Sequence, residues 1–262
     1  MPDPTVSIYI TTTVSGPDQL DILKHGLTYI RKHYPTEKVV VISDGSDDSI
    51  FNDSVKREIT RTYNNDLIES KNYDGLAKSG ELLRLYFYAI DPNPTDYAIC
   101  IHDSQLINSR LKLPDSPYQF LFTAPHWTDP VLDDINVLSR LNSPELMNLY
   151  FQRDKWMMCF GAQCIVKHTF MKELEAKYPS FFKSFIRSIN SRVERMCCER
   201  MTGLIFCSIF PPIRPMFGNI FEYAKSLPSG GWGYTYADFA SDITNNPDAL
   251  NALPTIKIWV GR

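Results

Sequence analysis

Apolar and polar positions along the chain follow two different periods. Val6–Thr12 (VSIYITT) and Lys38–Ser43 (KVVVIS) are short, β-branched, nearly continuous apolar runs bounded by polar turns. That is the pattern of strands covered on both faces. Between them Leu20, Leu23, Leu27 and Ile30 recur at helical spacing. Ser15-Gly16-Pro17-Asp18 introduces this helix, with Asp18 as the predicted N-cap, and His33 and Pro35 close it. Strand, helix and strand in this order predict a parallel βαβ unit. Residues 51–66 are polar and read as helical or irregular, Leu67–Ser70 as a short strand, and Leu76–Ala89 as a helix stopped by Asp91-Pro92-Asn93-Pro94. A third apolar run, Ala98–Ile101, ends abruptly in His102, Asp103 and Ser104. A carboxylate at the end of a buried strand is costly unless it meets a cation or leaves the core.

The second half is less regular. Pro114, Pro117, Pro125 and Pro130 divide residues 110–130 into short pieces. Val131–Leu141 predicts a helix, and Ser143-Pro144 reads as the cap and first position of another that carries Leu146 and Leu149. Trp156–Val166 predicts a strand with an internal glycine, followed by a helix over Thr169–Lys177. From Pro179 to Met201 the stripe Phe182, Phe185, Ile186, Ile189, Val193, Met196 and Cys197 predicts one long amphipathic helix, stopped by Gly203. Arg200 falls on that stripe, so it is expected to leave the core and meet an acid or a phosphate. Residues 211–262 are rich in Pro, Gly and aromatics, with a polar stretch at Asp238–Asp248. No repeat, low-complexity tract or linker divides the chain, which predicts one domain over residues 1–262.

Composition narrows the function classes. A chain of 262 residues with 44% hydrophobic and 22% charged residues can bury a full core without staples. A net charge of −3 argues against a nucleic-acid partner, whose footprint is a basic face. An anionic ligand would then need local cations or a metal. The six cysteines lie mostly in apolar runs without a C-x-x-C pair, which predicts buried, reduced thiols and a cytoplasmic location. The polar N-terminus MPDPT does not read as a signal peptide. No apolar run reaches the ~20 residues of a membrane span, so membrane contact would be at the surface or through a partner.

Three polar segments fall where strands end, which is the ligand edge of an open α/β sheet. They are Thr11-Thr12-Thr13, Ser43-Asp44-Gly45-Ser46 and His102-Asp103-Ser104. Further on come Asn72, Gly75, Lys78 and Ser79, then Gly161-Ala162-Gln163 with Lys167-His168, and finally Glu199-Arg200. In order and spacing these segments resemble the GT-A fold (nucleotide-diphospho-sugar transferase) of family 2 nucleotide-sugar glycosyltransferases. The similarity covers roughly residues 5–205 and is clearest over 6–105. It implies an α/β fold with a mostly parallel central sheet flanked by helices. Residues 1–105 would form the nucleotide-sugar-binding half, and 106–262 the acceptor-binding half and C-terminal tail.

The resemblance implies a role for each position. Thr11, Thr12, Asp44, Gly75, Lys78, Asp103 and Ser104 would bind the donor, Asp44 at a uracil imide or ribose hydroxyl and Lys78 at the diphosphate. Asp103, with His102, would hold Mn²⁺ or Mg²⁺. The usual D-x-D is here His-Asp-Ser, so one acid stands where two are customary and binding would be weak. No histidine follows His168 to supply the family's late metal ligand; Asn219, Glu222, Asp238 and Asp242 are unranked replacements. Glu199 would be the general base of an inverting transfer, with Glu194 in reserve, Arg195 as an i−4 ion-pair partner, and Arg200 in place of the family's second acid. His126, Trp127, Trp156 and Trp232 are the aromatic candidates for acceptor contacts. The glycine-bracketed loop Ser229–Gly233 would close over the donor and exclude water. The acceptor would be a glycan, a lipid-linked molecule or a protein.

Each of these residues also has a plain structural reading: an Asx-turn for Asp44, a solvated lysine for Lys78, an ion-paired helix glutamate for Glu199, packing for the aromatics. Two other functions share the sheet. A nucleotidyltransferase would usually carry a basic Gly-rich loop near the N-terminus, and Thr11–Asp18 has one glycine and no basic residue. A catalytically weak or inactive sugar- or nucleotide-binding domain is kept open by the single carboxylate. A Rossmann dehydrogenase is argued against by the absence of G-x-G-x-x-G after either early strand.

Overall fold

A computed structural model describes residues 3–76 and 79–260. Lys78, a sequence candidate, lies outside the described residues. The first half builds β1 (Val6–Thr12), α1 (Pro17–His33), β2 (Lys38–Ser43), α2 (Asp53–Tyr63), β3 (Asp66–Glu69), α3 (Leu83–Ala89) and β4 (Tyr97–His102). The second builds β5 (Gln105–Ile107), β6 (Tyr118–Phe120), α4 (Val131–Ser139), α5 (Pro144–Tyr150), β7 (Cys164–Lys167), α6 (His168–Lys177), α7 (Arg192–Ile209), α8 (Ile220–Ala224), α9 (Tyr236–Asn245), α10 (Pro247–Asn251) and β8 (Thr255–Lys257).

The fold is α/β, with a six-stranded central sheet in the order β3-β2-β1-β4-β7-β6, flanked by helices. β1 pairs in parallel with both β2 and β4, and β2 with β3, while β7 runs antiparallel to β4 and β6. All seven residues of β1 are buried, as its β-branched, apolar composition predicts for a central strand. A second ribbon pairs β5 with β8, so the last strand of the chain is fastened directly after the end of β4. The main core spans the sheet and its helices. A smaller cluster of Ile22, Leu106, Leu227, Tyr234, Phe239, Leu250, Ile256 and Ile258 packs under the C-terminal segment. All six cysteines are buried thiols. Among the described residues no helix is long and apolar enough to cross a membrane.

Five local expectations are corrected. Gly16, not Asp18, is the N-cap of α1; Asp18 sits in the first turn, where a carboxylate favours the positive helix end. Trp156–Val166 is not one strand. Only Cys164–Lys167 pairs, because Gly161 (φ +60°) and Ala162 (φ +46°) turn the chain sharply before it. Of the helix expected over Leu76–Ala89, the described residues show a turn at Leu76 and then a 3-10 turn at Gly80–Leu82 that continues into α3. The helix expected over Pro179–Met201 is two pieces, a π turn at Phe181–Phe185 running into a 3-10 turn, then α7. Both present apolar faces to the same core, so periodicity runs through the break. The break is a capping box in which Ser191 accepts from the Glu194 N–H and the Glu194 carboxylate accepts from the Ser191 N–H.

Gly203 does not stop α7 but lies inside it. There the helix crosses Met157–Cys159 so closely that a Cβ would sit 2.0 Å from the Met157 carbonyl oxygen. The three nearest atoms, from Met157, Met158 and Cys159, are all backbone and have little room to give. Gly203→Ala is therefore expected to destabilise the protein by about 3 kcal/mol, the upper range of overpacking, measured by urea denaturation. A loss within 0.5 kcal/mol would contradict the close approach.

Candidate active site

The carboxyl ends of β1, β2 and β4 open into a cleft of about 420 Å³, in the size range of small-molecule sites. Both halves of the sequence line it: Thr11, Thr13, Asp44, Gly80, Glu81 and His102–Ser104 from the first, Glu199, Trp232 and Lys257 among others from the second.

Hydroxyls fasten the three strand ends together. The Thr11 hydroxyl accepts from Arg84 Nη1 at 2.9 Å, Thr12 donates to Asp103 Oδ2 at 2.6 Å, and Thr13 donates to the Asp44 carbonyl at 2.8 Å. Thr11 and Thr13 line the cleft, whereas Thr12 lies behind Asp103. The Asp44 carboxylate accepts from the Ser70 hydroxyl at 2.7 Å and from the Gly80 N–H at 3.0 Å. Gly80 has φ +48°, and Arg195 packs over it, 2.7 Å from where a Cβ would lie. Gly80 therefore lines the cleft, as does Gly161. Gly75, the sequence candidate, packs against Arg187 instead and does not line the cleft.

β4 ends at His102, and Asp103 and Ser104 form the turn that follows. Strict alternation would have sent His102 and Asp103 to opposite faces. Because the strand has ended, His102, Asp103 and Ser104 all reach the same cleft. The His102 N–H donates to Gln163 Oε1 at 3.2 Å, and its ring lies against Gly161. Among the described residues no three His, Cys, Asp or Glu side chains converge as metal ligands. The Asp103 carboxylate already accepts from Thr12, and a lysine ammonium stands at Ser104: Lys257 Nζ donates to its hydroxyl at 2.6 Å. A divalent cation at Asp103 and His102 would therefore draw its remaining ligands from water and donor phosphates, with the Lys257 ammonium close by. The unranked late ligands do not approach the cleft. Asn219 caps α8, Glu222 pairs with Lys225, Asp238 caps α9, and buried Asp242 accepts from Tyr234, Ser229 and Asn246.

Glu199 faces the cleft from α7. Packing around its carboxylate raises its pKa to about 7, and the neighbouring Glu81 pushes in the same direction. Arg200, the Gly161 N–H and Lys257 oppose the rise. Glu81 itself is raised by burial, and its Oε2 has no hydrogen-bond partner among the described residues. Arg200 meets an acid, as its place on the apolar stripe predicts. It donates to both Asp134 oxygens at 2.7 and 2.8 Å, and Tyr150 donates to the same carboxylate at 2.8 Å. Glu194, the reserve base, is held in the α7 capping box and by Arg140, away from the cleft. No ion pair joins Arg195 to Glu199 among the described residues; Arg195 covers Gly80 instead.

An aromatic wall closes one side. Trp232 lies 4.7 Å from Phe221, 5.8 Å from Phe160 and 5.0 Å from Trp259 between ring centroids. The other aromatic candidates lie elsewhere. Trp156 is only 3% exposed and stacks on Tyr150. His126 is held between Asp129 and the Trp156 carbonyl. Trp127 is 80% exposed, outside the cleft and 6.4 Å from Phe221. Glu81, Lys257 and Trp259 escaped the sequence reading. The alternation of Ile256, Lys257 and Ile258 marks a strand, but only tertiary pairing places it at Ser104.

No family model matches the chain, and no curated protein matches it in sequence. Solved structures do. The structure of S. aureus TarS aligns with 65% of this chain and 30% of its own, at 15% identity and a TM-score of 0.35. The shorter TarS 1–349 aligns over 74% and 54%, at 14% identity and a TM-score of 0.37. The galactosyltransferase LgtC in complex with donor and acceptor sugar analogs aligns over 97% and 87%, at 9% identity and a TM-score of 0.44. The chain spans about a third of the longer TarS chain and about half of the shorter one.

The raised pKa of Glu199 makes stability depend on pH. The ordinary carboxyl value is 4.5 and the folded value about 7, so folding holds the proton more tightly. The penalty for the charged form is absent below pH 4.5, grows as pH rises, and is complete above 7. Glu199→Gln is therefore expected to raise Tm by about 2–4 °C at pH 8 and by nothing below pH 4.5, measured by calorimetry. An equal difference at both pH values would remove the buried-carboxyl account.

Proposed function

We propose that the protein is a glycosyltransferase that moves a sugar from a nucleotide-sugar, a UDP-sugar first among donors, to an acceptor hydroxyl with inversion. The observation that carries this reading is Glu199. It is a carboxylate with a pKa of about 7, in the same cleft as the strand-end Asp103 and Asp44. A base with that pKa is partly ionised at neutral pH yet still a strong proton acceptor. The acceptor oxygen attacks the anomeric carbon and its proton passes to Glu199. The bond from that carbon to the diphosphate oxygen breaks, and its electron pair leaves with the nucleoside diphosphate. Protonation of Glu199 also removes its repulsion with Glu81.

Asp44, at the end of β2 and lining the cleft, would meet a base imide or ribose hydroxyl of the donor. Trp232, carried by a loop with positive φ at Gly230, Gly231 and Gly233, stands with Phe160, Phe221 and Trp259 where an acceptor ring can stack. These rings also exclude water, which would otherwise hydrolyse the donor.

Thermal-shift measurements with UDP, GDP, CDP and ADP are expected to give the largest stabilisation with UDP. Glu199→Gln is expected to lower kcat by about 10²–10⁴-fold while UDP binding stays within twofold. The wild-type kcat should rise with pH through about 7. A Glu199→Gln enzyme that keeps more than half of wild-type kcat would exclude the assigned base. Absence of any donor turnover by the wild type would favour an inert binding domain.

A further inference from the structure

Lys257 has no part in the reading above, yet the fold builds it into the cleft. β8 pairs with β5 in the register Gln105 to Lys257, so the last strand runs beside the residue that follows the His102–Ser104 turn. The strand is held on every side. The Ile258 N–H donates to the Ser104 carbonyl at 2.9 Å, and the Thr255 hydroxyl donates to the Leu106 carbonyl at 2.7 Å. The Tyr223 hydroxyl donates to the Thr255 carbonyl and the Trp259 N–H to the Tyr234 carbonyl, both at 2.6 Å. The result is an ammonium fixed 2.6 Å from Ser104 Oγ, lining the cleft next to Asp103.

We propose that Lys257 is the cation that binds the donor diphosphate and neutralises the charge that grows on it as the glycosidic bond breaks. This rests on the glycosyltransferase reading. A departing diphosphate gains negative charge in the transition state, and a fixed positive group at that oxygen stabilises it without reorganisation. Among the described residues no three metal-ligating side chains converge at the turn, and an ammonium stands beside its one carboxylate and one imidazole. Asp103, bonded to Thr12, then accepts from donor hydroxyls. Lys257 stays protonated throughout and no proton is exchanged with it. Its pull on the Glu199 carboxylate also links the two ends of the reaction.

The test is calorimetric titration of UDP, GDP, CDP and ADP, and of the nucleoside of the tightest binder, with EDTA or Mn²⁺ present. The wild type is expected to bind the diphosphate in EDTA and to change affinity less than threefold when Mn²⁺ replaces it. Lys257→Gln and Lys257→Met are expected to weaken the diphosphate by about tenfold or more while the nucleoside stays within twofold, which also reports an intact fold. Lys257→Arg should keep most of the affinity. A diphosphate-to-nucleoside ratio unchanged in Lys257→Gln and Lys257→Met, or a wild type that binds only with Mn²⁺, overturns Lys257 but leaves the glycosyltransferase reading standing. A wild type that binds none of the four diphosphates overturns both.

Discussion

The buried guanidinium of Arg84 is the constraint on which the cleft depends. It is fully buried, and a bare cation there would cost several kcal/mol. Its Nη1 and Nη2 protons go to the Thr11 hydroxyl, to the carbonyls of Gly161 and Ala162, and to the Glu81 carbonyl. One side chain thereby joins the end of β1, the turn before α3 and the sharp turn before β7. Burial lowers its pKa, and its charge in turn holds down the pKa of Glu81. The Gly161 turn it anchors supports the His102 ring and donates toward Glu199. Thr11, Glu81 and the Gly161 turn are thus tied directly to Arg84.

Around this anchor the charges fall into two sets. Glu81 and Glu199 crowd each other, and the crowding keeps a proton within reach of neutral pH. Asp103 and Lys257 stand at the β4 turn, where charge is balanced locally. Arg200 lines the cleft beside the first set and opposes the Glu199 rise, while its Nε is held by Asp134, a carboxylate that Tyr150 also binds. The proposed transfer draws on both sets, Glu199 as proton acceptor and Lys257 at the diphosphate.

What the sequence makes legible is what is local. β1 and β2 are read to the residue, because buried parallel strands are continuous apolar runs with polar ends. The strand-end segments with Thr11, Asp44 and Asp103 follow from the same pattern. Misreadings come where two pieces share one apolar face, as at Phe181–Ile209, or where a turn is dictated by a remote partner, as Gly161 is by Arg84. Residue type alone points Trp156 and His126 to the acceptor side, whereas the burial of Trp156 and the Asp129 contact of His126 place them in the packing outside the cleft. Lys257 lies 153 residues beyond Ser104, and nothing in its own neighbourhood announces the contact. Glu81 is hidden for a related reason: its environment is made by α7 and by Arg84, not by its own segment.

The most direct measurement is a crystal structure of the protein with a bound nucleoside diphosphate. The account predicts the base and ribose at Asp44, the diphosphate at the His102–Ser104 turn within hydrogen-bond distance of Lys257 Nζ, and Glu199 facing the space where a sugar carbon would follow. A nucleotide seated outside this cleft, or one whose diphosphate points away from Ser104 and Lys257, would contradict it.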